Sequence, residues 1–142
     1  MASSYYIGQT AADYKDIPFG TTTIGVSGCG ICALAMVICR KASVTTVAGK
    51  KAVIQAIIDK GLSGNSLLQS STINYGSKNY AISITTSKPS PYNNTVIQYN
   101  TISHYVLAVD NSTVEDPGTT SITTVSGADT KYGAHKKYWL VS

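Results

Sequence analysis

The sequence is short of charge. Only 13% of its 142 residues are Asp, Glu, Lys or Arg, and the formal net charge is +4. The basic residues fall singly or in small pairs, at Arg40-Lys41, Lys50-Lys51 and Lys136-Lys137. A nucleic-acid binder shows a denser basic stripe, so no nucleic-acid partner is expected. A mild positive balance is ordinary for solubility, and it also suits adhesion to an anionic cell wall. Long apolar runs are missing too. The longest, from Ile31 to Cys39, falls short of the roughly 18 residues a membrane span needs. It starts too far into the chain, and without a basic lead-in, to read as a signal peptide. There are two histidines and three cysteines, and the cysteines share one stretch of eleven residues. Cysteines that close cannot staple distant segments, so no disulfide framework is expected. Nor do they give the paired spacing of a structural zinc site, and no metal or other cofactor is expected.

What is there suits a folded protein. Apolar residues make up 43% of a chain of 142, enough to bury a core. With no internal repeat, low-complexity block or long linker, residues 1–142 read as a single domain. Ser, Thr, Asn, Gly and Tyr are abundant, as in surface and virion proteins.

Two periodicities divide the chain. Residues 1–28 read as an irregular lead-in with turn signals at Ile17-Pro18-Phe19-Gly20 and Ser27-Gly28. Residues 29–41 read as a buried helix whose last turn carries Arg40 and Lys41, the sign that suits the negative end of the dipole. A second helix is expected over about 46–60, where Val47, Val53, Ile54, Ile57 and Ile58 form one stripe. A short third helix is expected over 65–74. Strand-like alternation follows at 80–86, 95–99, 105–109, 121–125 and 138–141. Helices first and strands afterwards predict an α+β fold, with a mainly antiparallel sheet packed on the N-terminal helices.

The most informative segment is Ser27-Gly28-Cys29-Gly30-Ile31-Cys32-Ala33-Leu34-Ala35-Met36-Val37. A thiol becomes a nucleophile when its thiolate is stabilised, by a helix N-terminus or a neighbouring histidine. Cys29 stands where a glycine-flanked loop meets an apolar helix, so glycine leaves room for a substrate backbone. Its N–H is also placed to help hold an oxyanion. Cys32 and Cys39, inside the apolar helix, read as small buried hydrophobes.

His104 opens His104-Tyr-Val-Leu-Ala-Val-Asp110, an apolar run with the look of a central strand. A general base needs such a rigid mount. Twelve residues on comes Asp116, within Val114-Glu115-Asp116-Pro117-Gly118. A strand, a turn and a returning strand would bring it beside His104, where a carboxylate fixes the imidazole tautomer. The plainer reading is a capped strand and a turn. His135, in the polar stretch Tyr132-Gly-Ala-His-Lys-Lys137, reads as a surface histidine.

Taken together, Gly-Cys-Gly before Ala-Leu-Ala-Met-Val, then His-Tyr-Val-Leu-Ala-Val, then Asp-Pro-Gly resemble a branch of the papain-like cysteine peptidases. That branch holds the double-glycine leader peptidases of bacteriocin exporters and their cell-wall-lytic relatives in phage and bacterial surface proteins. The resemblance covers about residues 5–120. It implies a papain-like fold with Cys29 as nucleophile, His104 as base and Asp116 as the orienting acid. It also implies an upstream glutamine as oxyanion donor, for which Gln9 is the candidate. In the exporter peptidases that glutamine lies six residues before the cysteine, a position held here by Thr23. The residue after Cys-Gly is often proline there and is Ile31 here. The lead-in from Gln9 to Gly20 resembles the cell-wall-associated relatives. The implied activity is therefore hydrolysis of peptide bonds in cell-wall cross-links, peptidoglycan or pseudomurein, as a phage endolysin-type catalytic domain. It would act at the cell wall, phage-encoded or secreted without a visible signal peptide, and a separate wall-binding domain would belong to a longer protein.

Three other readings stand beside it. A leader- or protein-processing peptidase would use the same residues on another substrate. Cys29-Gly-Ile-Cys32 also fits the Cys-x-x-Cys of a thioredoxin-like redox protein, which needs a hydrophobic strand running into the motif. A non-catalytic wall- or peptide-binding module would keep the fold without needing all of Cys29, His104 and Asp116.

Overall fold

A computed structural model describes residues 3–60, 72–99, 104–133 and 136–142. Its centre is the helix α2, Cys29–Ala42, preceded by a short hairpin, β1 Pro18–Phe19 and β2 Thr22–Thr23, and a helical turn α1, Ile24–Ser27. Eleven consecutive residues of α2, Cys29 to Cys39, are buried. A helix apolar on every side needs cover on every side. One flank is taken by α3, Val47–Ile58, which buries Val53, Ile54 and Ile57. Another is taken by strands of the sheet. Arg40 and Lys41 occupy the last turn of α2, and Ser43 ends it in the left-handed region at φ 57°. Thr46 caps α3 by accepting a hydrogen bond from the Gly49 N–H at 3.1 Å.

The strands are β3 Thr72–Tyr75, β4 Lys78–Thr85, β5 Thr95–Tyr99, β6 His104–Ala108, β7 Val114–Glu115 and β8 Lys136–Val141. They form one sheet in the order β3-β4-β8-β5-β6-β7, and every neighbouring pair is antiparallel. The fold is thus α+β. The alternation of side chains along β5 and β6 assigns the two faces. Val96, Tyr105 and Leu107 join the core built on α2 and α3. Ile97, Tyr99, Val106 and Ala108 join a second core with Val125, Ala128 and Tyr132 of a fourth helix, α4, Val125–Tyr132. The sheet therefore lies between α2 and α3 on one face and α4 on the other.

The helix expected over 29–41, that over 46–60, and the strands expected at 80–86, 95–99, 105–109 and 138–141 all appear, with no end shifted by more than two residues. Three expectations differ. Residues 121–125 are not a strand: apart from a single bridge between Thr113 and Thr124, the segment leads into α4. Its run of threonines favours strand locally, but the Thr124 hydroxyl accepts from the Gly127 N–H at 3.0 Å and starts a helix. Of the helix expected over 65–74, residues 72–74 belong to β3, paired with β4. Residues 65–71 lie outside those described, as does His135. The lead-in expected to be irregular holds β1, β2 and α1. Among the described residues no helix is long and apolar enough to cross a membrane.

Candidate active site

The site is assembled where three parts of the chain meet: the start of α2, the start of β6 and the turn after β7. Cys29 is the first residue of α2, so its N–H belongs to the first turn, whose donors lack intrahelical partners. The chain reaches it through Gly28, whose N–H donates to the Ile24 carbonyl at 2.8 Å. A Cβ at Gly28 would stand 2.6 Å from both the Cα and the carbonyl oxygen of Ile24. Glycine is required here because two backbones touch.

His104 begins β6 and pairs with Tyr99 of β5. Its parity along the strand is that of Val106 and Ala108, the face covered by α4. As the first residue of the strand it lies at the rim of the sheet, where a side chain of that face can still meet α2. The imidazole makes two side-chain hydrogen bonds. Nε2 lies 2.8 Å from Asp116 Oδ1, and the Cys29 thiol is the second partner. With Nε2 committed to the carboxylate, Nδ1 is the ring nitrogen left to face the sulfur.

Asp116 is the best-held residue of the three. Its side chain is fully buried. Oδ1 accepts from His104 and from the Gly118 N–H, each at 2.8 Å. Oδ2 accepts from the Tyr132 hydroxyl, and the main-chain carbonyl accepts from the Tyr6 hydroxyl at 2.7 Å. The ring of Tyr132 also packs on the His104 imidazole, with centroids 4.5 Å apart and planes at 51°.

The electrostatics follow from these contacts. Burial alone would lower the His104 pKa, but hydrogen bonds and charge attraction from Asp116 and Cys29 outweigh it and lift it from 6.5 to about 9. Burial alone would raise the Asp116 pKa, yet hydrogen bonds from His104 and Tyr132, with the charge of His104, hold it below the ordinary carboxylate value. The site therefore favours a carboxylate beside an imidazolium. Burial pushes Cys32 well up, and it pushes Cys39 up to about 11 against the partial opposition of Lys50. None of the three cysteines is in a disulfide.

Gln9 is buried and lies between the two halves of the site. Its N–H donates to the Pro117 carbonyl at 2.8 Å, beside Asp116. Its side-chain amide donates to the carbonyls of Ile24 and Gly25, each at 3.4 Å, in the turn that leads into Cys29. The structure thus brings Cys29, His104 and Asp116 together, and sets Gln9 against both the α1 turn and the acid's turn.

Two residues of the site went unread in the sequence. Tyr132 lay in a stretch taken as polar surface, and Tyr6 in the lead-in. The available signal was the count of ten tyrosines in a chain with one Phe and one Trp, which sets many hydroxyls near the core. The Glu115 carboxylate, next to Asp116, was also unread as a partner of Arg40. Among the described residues, no three His, Cys, Asp or Glu side chains are grouped to share a metal ion. The chain matches no protein-family model, no curated protein and no solved structure.

Proposed function

We propose that this protein is a cysteine peptidase or amidase of the papain-like kind that hydrolyses peptide bonds. The observation that carries this reading is one imidazole held between a buried carboxylate and a thiol at a helix N-terminus. A structural histidine needs neither partner in that arrangement, whereas acyl transfer uses both.

In the proposed reaction the Cys29 sulfur, as thiolate, attacks the carbonyl carbon of the scissile bond. The carbonyl oxygen takes the negative charge, with the Cys29 N–H as one donor. Gln9 is the proposed second donor, and its amide must then leave the carbonyls of Ile24 and Gly25. His104 gives its proton to the leaving amine, the C–N bond breaks, and a thioester to Cys29 remains. His104, now neutral, takes a proton from water. The hydroxide equivalent attacks the thioester and releases the carboxylic acid and the Cys29 thiolate. Asp116 stays ionised throughout and keeps the imidazole aimed. Cys29 is only 5% exposed, so the scissile bond must approach along a narrow path, which suits an extended peptide better than a folded protein.

For the substrate we propose cell-wall cross-link peptides, of peptidoglycan or pseudomurein, in the manner of a phage endolysin catalytic domain. The support is the likeness of the lead-in to cell-wall-associated relatives and the mild positive charge. The redox reading is disfavoured by the local fold. A thioredoxin-like site needs a strand running into the Cys-x-x-Cys, and residues Ile24–Ser27 form a helical turn beside an antiparallel sheet.

The test is incubation with purified walls of several types and mass analysis of the released fragments. The expected result is new amino and carboxyl termini at one bond type, absent with Cys29→Ala. Cleavage that survives Cys29→Ala would sink the mechanism. Release of leader or protein fragments in place of wall fragments would keep the mechanism and replace the substrate.

A further inference from the structure

We propose that Tyr132 is a positioning residue of this site: its hydroxyl locks the Asp116 carboxylate while its ring walls one side of the His104 imidazole. The inference rests on the hydrolytic reading above and adds to it the device that keeps the acid and base aimed.

The need for such a device is geometric. Oδ1 of Asp116 is shared by His104 and the Gly118 N–H. A carboxylate held at one oxygen can still rotate about its Cβ–Cγ bond. The second oxygen must be fixed separately, and Tyr132 donates to it. The same side chain lies against the imidazole at 4.5 Å between centroids, so ring and hydroxyl restrain both members of the pair at once. It also keeps water from competing for the hydrogen bond between them.

Tyr132 is itself held. It sits in the last turn of α4, whose Asp129 accepts from the Tyr99 hydroxyl at 2.7 Å and from Lys136 Nζ at 3.0 Å. The Tyr99 ring packs on Tyr132 with centroids 5.4 Å apart. Helix α4 is thus fastened to β5, the strand beside β6, and to β8 on the far side of β5. A tyrosine that only filled the core would be served as well by phenylalanine. Here the hydroxyl meets the one carboxylate whose other oxygen holds His104.

The test uses Tyr132→Phe in the full chain, which removes the hydroxyl and keeps the ring. Proton NMR follows the His104 Nε2 proton, and iodoacetamide follows the reactivity of Cys29. The expected result is loss or exchange broadening of that proton signal, with a roughly tenfold slower alkylation, the scale of one lost hydrogen bond to a charged group. In an Asp116→Ala background the same substitution should slow alkylation no further, because the effect runs through Asp116. An unchanged proton signal together with an unchanged alkylation rate overturns the proposal, even if the unfolding midpoint falls. If Tyr132→Phe does not fold, 3,5-difluorotyrosine at 132 keeps the ring and strengthens the donor. It should shift the His104 Nε2 signal, and no shift overturns the proposal. A parent protein whose Cys29 alkylates no faster than a free thiol defeats the peptidase reading instead. The proton signal then decides the role of Tyr132 alone.

Discussion

Arg40 Nη2 lies 2.8 Å from Glu115 Oε1, joining the last turn of the helix that begins at Cys29 to the residue that precedes Asp116. Glu115 also accepts from the Ser3 hydroxyl at 2.6 Å and from the Ser3 N–H at 3.3 Å. Further along the N-terminal strap, Tyr6 holds the Asp116 carbonyl and Gln9 holds the Pro117 carbonyl. Lys50, buried on α3, fixes the strap in turn by donating to the Tyr6 carbonyl at 3.0 Å. The acid's turn is therefore clamped between α2 and the strap.

Breaking that clamp should cost stability first. Arg40→Met leaves the Glu115 carboxylate buried with only the Ser3 donors. The expected loss is about 2–3 kcal/mol, below the usual cost of halving a buried pair, because Ser3 remains and Arg40 is part-exposed. Urea unfolding measures it. Glu115→Gln, which removes the charge and keeps the shape, should cost less. The opposite ranking would count against the charge as the reason.

The pH dependence follows from His104. Its folded pKa, about 9, lies above its ordinary 6.5. In the proposed reaction the proton for the leaving amine is thus present at neutral pH, and hydrolysis should fall above about pH 9. The same shift acts on stability. A raised pKa means that the folded state binds the proton more tightly. The contribution is whole below about 6.5 and is lost as the pH climbs through about 9. Asp116, lowered, contributes in the other direction, with stability lost as the pH falls through its folded value. Thermal unfolding across pH checks both. A midpoint that rises steadily from neutral to alkaline pH would contradict the assignment for His104.

Gln9→Ala separates catalysis from folding. Its two side-chain hydrogen bonds are long, 3.4 Å each, so stability should change by less than about 1 kcal/mol. If the amide serves the oxyanion, kcat should fall about 10²-fold with little change in KM. Unchanged kcat would take Gln9 out of the mechanism.

Gly28→Ala tests the approach to Cys29. The added Cβ would come within 2.6 Å of Ile24 backbone atoms, which cannot swing aside as a side chain can. We expect a loss of about 2 kcal/mol or more, in the range of overpacked sites. Calorimetry measures that loss, and slower labelling of Cys29 by iodoacetamide should accompany it. A fully stable Gly28→Ala protein would mean that α1 and α2 are not held at this distance.

Much of this was legible along the chain. The apolar run of 29–41 and the alternation of 95–99 and 105–109 are local patterns, and each produced the expected element. Where local preference and tertiary need disagreed, the reading failed. Thr123 and Thr124 favour strand by side-chain shape, but the Thr124 hydroxyl caps α4. Tyr132 reads as polar surface among Lys131 and Gly133, yet α4 folds back over the sheet and buries it against His104.

Sequence alone determined which residue types were available for chemistry: a thiol after glycine, a histidine leading an apolar strand, and an aspartate before Pro-Gly. Those depend on covalent spacing and local propensity, which the chain carries at every point. Tertiary structure alone decided that the imidazole lies between thiol and carboxylate, that Arg40 reaches Glu115, and that Tyr132 completes the hydrogen bonding of Asp116. Those contacts join residues from 12 to 75 positions apart. Their distances depend on how the sheet packs between α2 and α4, and no short window of sequence encodes that.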